Sequence, residues 1–393
     1  MRRLLLVSSL ILLAAAVYWL WRPSEVTVPA NASLESLLVD DGQTSEAYAR
    51  AVLPGAVEFP RDFGPHEDYQ TEWWYYTGNL KTEEGNGIPS REFGYQFTIF
   101  RRALEPMSEV PEVVDPSSWR SNQLYLAHFT VSDIGADEFY YTERFSRGGA
   151  DLAGAQAVPY KVWLEDWSVV ETAPGEIRIQ AKSDDVALDI TLAETIPPVL
   201  HGDGGLSQKG PQPGNASYYY SIVQQQTAGD LLIDGNRFEV QGLSWMDHEY
   251  STSALSPGST GWDWFSLQLD NGDALMLFQI RREDGTIEPF SSGSFISSDG
   301  TVQTLAHDAW ELDVLDTWVS PHSGAEYPAG WRLRIPAVEL ELEGRPLMAD
   351  QELRVSTIYW EGATGFTGTL AGKPITAQGY VELTGYAGMA PPS

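Results

Sequence analysis

At 393 residues the chain is too long for one ordinary core, and the length predicts two domains. Its 55 acidic and 24 basic residues give a formal charge of −31, which argues against a phosphate backbone as partner. The absence of cysteine excludes disulfides, a thiolate nucleophile, Cys-ligated metal and a lipid-modified cysteine, while 14 Trp within a 42% hydrophobic composition supply a sizeable core.

The N-terminal stretch "MRRLLLVSSLILLAAAVYWLW" places two arginines before an apolar run of 18 residues, Leu4–Trp21. It reads as an export signal over residues 1–21, either cleaved or kept as a membrane anchor. The body is therefore expected outside the cytoplasm, in the periplasm or secreted, with any membrane contact made through this segment. Residues 22–57 read as a linker. From Glu58 the pattern changes to strands. "TEWWYYTGNL" (71–80), "REFGYQFTIFRR" (91–102), "NQLYLAHFTVSD" (122–133), "YKVWLEDWSVVE" (160–171), "GEIRIQAKS" (175–183) and "VALDITLAE" (186–194) are rich in aromatic and β-branched residues. "GWDWFSLQLDNGDALMLFQIRREDG" (261–285) predicts a hairpin turning at Asp270-Asn271-Gly272. A further turn is expected at Gly372-Lys373-Pro374. "EWWYY" leading to "FTIFRR" and "GWDWF" leading to "FQIRR" suggest a duplication, with each half opening on an equivalent hairpin. The expectation is an all-β chain built as sandwiches or barrels.

Common catalytic signatures are absent: there is no G-x-S-x-G elbow, P-loop or strand-linked G-x-G-x-x-G. The six histidines show no metal-ligand spacing, so no metal is expected. The chemistry that stands out is "GLSWMDHEYS" (242–251). On a strand, Leu243, Trp245, Asp247 and Glu249 share one face, and Met246, His248 and Tyr250 share the other. Trp245 and Asp247 then lie roughly 6.6 Å apart. If that face lines an apolar cavity, burial raises the Asp247 pKa and keeps a proton available to a weakly basic alkene. Alternatively, Asp247 pairs with an arginine such as Arg101 or Arg281, or the triplet is the polar end of a strand.

The chain resembles the AttH/CrtC family of secreted lipocalin-like proteins. The family includes "predicted secreted hydrolases" and the carotenoid 1,2-hydratases (hydroxyneurosporene synthases). The resemblance rests on "EWWYYTGNL", "LAHFTVSD", "GLSWMDHEY", "GWDWFSLQLDNGDALMLFQIR" and "YWEGATGFTGTLAGKPITAQGYVELTGY", in that order. It implies two tandem lipocalin-like antiparallel β-barrels, at 58–250 and 251–393. It also implies a lipophilic small-molecule partner and cofactor-free addition of water, with Asp247 as general acid beside Trp245, His248 and Glu249. Trp73, Tyr75, Tyr218, Tyr220, Trp262, Asp263 and Trp264 are the ligand-binding candidates. The hydratases carry Tyr in place of Trp245, and a His-x-Trp pair where this chain has Tyr218-Tyr219-Tyr220. The alternative function is non-enzymatic carriage of a hydrophobic ligand for an ABC transporter permease.

Overall fold

The computed structural model describes residues 46–84, 90–109, 121–253 and 255–387, so the apolar N-terminal run lies outside the described residues. All described strands belong to one compact body. The first sheet comprises β1 (Thr71–Lys81), β2 (Glu92–Ala103), β3 (Gln123–Asp133), β4 (Glu138–Arg147), β5 (Ala153–Gln156), β6 (Lys161–Leu164), β7 (Trp167–Ala173), β8 (Glu176–Lys182), β9 (Val186–Glu194), β10 (Val199–Leu200), β11 (Leu206–Gln208), β12 (Ala216–Ile233) and β13 (Asn236–Ser251). The second comprises β14 (Ser259–Leu269), β15 (Ala274–Arg282), β16 (Ser292–Ile296), β17 (Val302–Leu305), β18 (Glu311–Val319), β19 (Glu326–Ile335), β20 (Leu340–Pro346), β21 (Glu352–Arg354), β22 (Ile358–Leu370) and β23 (Lys373–Leu383). No α-helix occurs among the described residues, and none of their helices is long and apolar enough to cross a membrane.

Both sheets are antiparallel, and in each the first strand pairs with the last, β1 with β13 and β14 with β23. The all-β expectation holds: the first sheet curls into a near-barrel and the second into a half-barrel. The second remains open at β17 and at β18, whose side chains are largely exposed. The two opening hairpins correspond in register. Trp73 faces Phe100 beside Arg101, and Trp262 faces Ile280 beside Arg281.

Local readings shift in two places. "YKVWLEDWSVVE" is a tight hairpin rather than one strand, because Glu165 takes a positive φ of 56° and Leu164 pairs with Trp167. The β22–β23 turn is Ala371-Gly372, both at positive φ, and Lys373 and Pro374 already belong to β23.

Period-two alternation sorts the side chains into three layers. Trp74, Tyr76, Tyr220, Met246 and Tyr250 fill the first sheet's interior with Phe97, Trp167 and Ile179. Phe265, Trp331, Trp360 and Val381 fill the second sheet's interior. A third layer lies between the sheets, where Tyr75, Tyr219 and Trp245 meet Trp264, Phe278 and Tyr380. β1 and the second half of β13 are therefore buried on both faces, which explains the unbroken aromatic run of β1.

Gly94 marks a close approach of the two sheets. A Cβ there would fall 2.4 Å from Tyr380 Oη and 2.8 Å from Ala363 Cβ. Gly94→Val should therefore force the layers apart and destabilise the protein by about 1–3 kcal/mol. Chemical denaturation of the variant checks this; an unchanged unfolding midpoint would refute the packing argument.

Candidate functional site

The interlayer face carries the acidic groups. On β13, Trp245, Asp247 and Glu249 point between the sheets. The neighbouring β12 sets Ser221 directly opposite Asp247 and Tyr219 opposite Glu249. Trp262 and Trp264 come from β14, Trp73 and Tyr75 from β1, and Glu382 from β23. Most of these groups wall a cavity of about 760 Å³ of empty space, part of it open to solvent, whose lining includes Asp247, Glu249, Tyr219, Lys209 and Glu382. Its aromatic lining with a few convergent polar groups suits a small apolar ligand.

Asp247 is 4% exposed and has no cationic partner. Its Oδ1 accepts hydrogen bonds from Trp245 Nε1 at 2.6 Å and from the Ser221 hydroxyl, and its Oδ2 accepts one from the Tyr219 hydroxyl at 2.6 Å. Burial pushes its pKa up to about 7. The three donors pull the other way, and the charge of Glu249 adds to the rise. The alternative arginine pairing does not occur, because Arg101 bonds Glu72 and Arg281 bonds Asp263. Tyr219 Oη also accepts Trp264 Nε1–H at 3.0 Å, so the phenol joins the acid to the second sheet. Behind Ser221 lies buried His201, 2.6 Å from the serine hydroxyl and 2.9 Å from that of Ser294. Burial, with Lys209 nearby, holds His201 neutral, down at about 3.

A second acidic wall comes from β22 and β23, where Glu361 and Glu382 are register partners. Burial raises Glu382 to about 8, against a hydrogen bond from Trp262 Nε1 at 3.1 Å. Glu361 is also raised well above the usual carboxylate range, by burial and then by Glu382, and accepts the Tyr75 hydroxyl at 2.5 Å. Glu249 is different, since it pairs with Lys209 at 3.2 Å and accepts the Ser217 hydroxyl. Lys209 in turn lies 3.8 Å above the Phe278 ring.

Several sequence-based candidates fall elsewhere. His248 points to the opposite face of β13, 2.8 Å from Glu72 and 2.7 Å from Tyr220 Oη. Tyr218 and Tyr220 share that side, where Tyr218 donates to the Leu53 carbonyl at 3.0 Å and Tyr220 reaches the Asp62 carbonyl. Asp263 faces away from the cavity, held by Arg281, Gln279 and Tyr386. The cause in each case is strand alternation: one position along a strand is a change of layer. Trp73, Tyr75, Trp262, Trp264, Asp247 and Glu249 do line the cavity, and Trp245 supports Asp247 from behind. Sequence reasoning missed Tyr219, Ser221, His201, Lys209, Glu361 and Glu382. The two glutamates carried a signal, since each lies two residues after an aromatic residue in an apolar strand, Tyr359 and Tyr380 respectively.

Histidines distant in sequence do meet. His66, Glu72 and His248 bring potential ligand atoms within 4.8 Å of one another. Glu72 is nevertheless fully engaged: Oε1 lies 2.7 Å from His66 Nδ1 and 2.8 Å from His248 Nε2, and Oε2 accepts Arg101 Nε at 2.7 Å. Although burial opposes it, the Arg101 charge together with the two histidines holds the Glu72 carboxyl well below its usual range. This group reads as an ion network locking the 58–66 segment to the first sheet.

Fold and site define an all-β protein with an acid-lined aromatic cavity between two stacked sheets. The chain belongs to the AttH-like family, whose pattern matches residues 50–386. It is similar to a Nitrosomonas europaea protein assigned as an AttH, with 36% identity and a TM-score of 0.75, over 86% of this chain and 99% of that one. It shares the fold of kievitone hydratase from Nectria haematococca, at 16% identity and a TM-score of 0.62, over 87% of this chain and 96% of the other. It is 21% identical over 218 residues to the dehydratase asqC of Emericella nidulans, a match spanning 53% of this chain and 60% of the dehydratase.

Asp247 and Glu382 release protons near 3.8 and 4.5 when unfolded, and near 7 and 8 when folded. Between those limits the folded state binds more protons, so their contribution to stability falls as pH rises from about 4 to about 8. Asp247→Asn and Glu382→Gln mimic the protonated forms. Both should flatten the stability profile across that window and melt above the parent at its alkaline end. Melting curves from about pH 4 to 9 check this, and parallel profiles would refute it.

Proposed function

We propose that the protein adds water to, or removes it from, a lipophilic substrate bound between the sheets, without a cofactor and with Asp247 as general acid. The observation that carries this reading is a cation-free carboxyl, buried at the cavity wall and titrating near neutrality, backed by Tyr219 and surrounded by indoles. In the hydration direction the Asp247 proton goes to an alkene carbon, leaving a carbocation and the Asp247 carboxylate. The faces of Trp262 and Trp264 favour the positive charge, and water then forms the C–O bond and gives its proton to a basic group of the wall. Dehydration is the reverse: the wall group protonates the departing hydroxyl, and the Asp247 carboxylate takes the proton from the neighbouring carbon. The names of the two relatives, a hydratase and a dehydratase, support the same chemistry. The basic and apolar N-terminus supports a body outside the cytoplasm, in the periplasm or secreted and tethered if the segment is retained.

Asp247→Asn should lower turnover of an acyclic terpene alkene by about 10²–10⁴-fold. Quenching of the cavity tryptophans should show ligand affinity nearly unchanged. Full turnover in this variant would remove the acid role. Ligand binding with no turnover in the parent would instead support the carrier reading, in which the protein serves an ABC transporter permease.

A further inference from the structure

A second chain of polar groups leads away from the same cavity. Tyr359 and Gln96 line its wall. Behind Tyr359 lies His128, fully buried, whose Nδ1 is 2.7 Å from the tyrosine hydroxyl and whose Nε2 is 3.0 Å from Glu143 Oε2. Glu143 also accepts the Ser356 backbone N–H at 3.2 Å and its hydroxyl at 2.5 Å, and its side chain is 13% exposed. The chain therefore runs from cavity to surface, and it joins β3 and β4 of the first sheet to β22 of the second.

The partners fix the direction of the hydrogen bonds. Glu143 acts only as acceptor, so His128 carries its proton on Nε2. Nδ1 is then an acceptor, and Tyr359 donates to it. The hydroxyl oxygen of Tyr359 also meets the side chain of Gln96, which leaves it one lone pair for a donor in the cavity. Gln96 supplies a second acceptor: its Nε2 donates to Thr98 Oγ1 at 2.6 Å, while its buried Oε1 has no partner among the described residues. An acceptor on the cavity wall backed by a proton relay suits a water molecule, which has protons to donate, and the unpaired Gln96 Oε1 belongs to the same wall.

We propose that Tyr359 is a second catalytic group of the cavity, a shuttle that passes the proton of the attacking water to His128. The inference rests on the hydration reading and supplies its missing base. As the water oxygen bonds to the cationic carbon, one of its O–H bonds breaks and that proton goes to Tyr359 Oη. The original Tyr359 proton moves to His128 Nδ1. The resulting imidazolium is held by the Glu143 carboxylate. Tyr359 itself never becomes a phenolate, and burial together with Glu361, Glu382 and Glu143 makes that form unfavourable. Asp247 ends the cycle one proton short and His128 one proton in excess. Glu143 opens the latter to solvent, Asp247 regains its proton from water at the cavity mouth, and the net reaction is addition of water alone.

The test is a kinetic comparison on a panel of acyclic terpene alkenes. Tyr359→Phe and His128→Gln should lower kcat by about 10²-fold or more with KM within about threefold, and Glu143→Gln should cause a smaller loss. A purely structural role predicts a lower Tm and a raised KM, which would overturn the proposal. So would a loss of kcat in Glu382→Gln or Glu249→Gln with Tyr359→Phe unaffected. If His128→Gln fails to fold, Tyr359→Phe, which keeps the ring, decides. Full activity in Tyr359→Phe beside an inactive Asp247→Asn sinks this inference and leaves the hydratase reading standing. A parent that hydrates nothing on the panel sinks both.

Discussion

The chemistry of this protein depends on the stacking of the second sheet against the outer face of the first. In an isolated barrel that face would meet water, and its carboxyl groups would titrate normally. Here Tyr75, Tyr219 and Trp245 are covered by Trp264, Phe278 and Tyr380, so Asp247, Glu361 and Glu382 lose solvent without gaining a cation. Each therefore prefers to hold its proton. The close approach at Gly94 sets how tightly the layers meet, and the space left over where they part is the cavity.

Three consecutive residues of β13 show how finely this layering divides electrostatic roles. Asp247 faces the dry interlayer and titrates near neutrality. His248, one position on, faces the first sheet's interior, where burial holds it neutral beside an ionised Glu72. Glu249 returns to the cavity but meets Lys209. Both Asp247 and Glu72 are buried, yet Glu72 has Arg101 and His66 within reach and Asp247 has only neutral donors. The presence of a cation, rather than depth of burial, separates the proton-holding acid from the ionised one.

The two stacked sheets also bring polar chains from opposite directions to one cavity. Asp247, Ser221 and His201 reach it from the first sheet and end at Ser294 of the second. Glu143 and His128 reach it from the first sheet through Tyr359 of the second. A proton-holding carboxyl thus lies on one wall and a histidine-backed tyrosine on the other. Neither chain exists in either sheet alone.

Much was legible in the sequence. Alternating aromatic strands, the Asp270-Asn271-Gly272 turn and the paired Trp-rich hairpins determined an all-β chain of two similarly opened sheets, because periodicity and turn chemistry are local properties. The alternation of β13 also set Asp247 and His248 on opposite faces. What the sequence could not decide is which face matters. Tyr218, Tyr219 and Tyr220 are chemically identical, and only the stacked second sheet makes the middle one part of the site. Likewise Glu361 and Glu382 look like ordinary strand residues until register sets them side by side, and His128 meets Tyr359 across 231 positions. Desolvation and proton transfer depend on distance and on the water excluded, and both are properties of the packed layers rather than of any one strand.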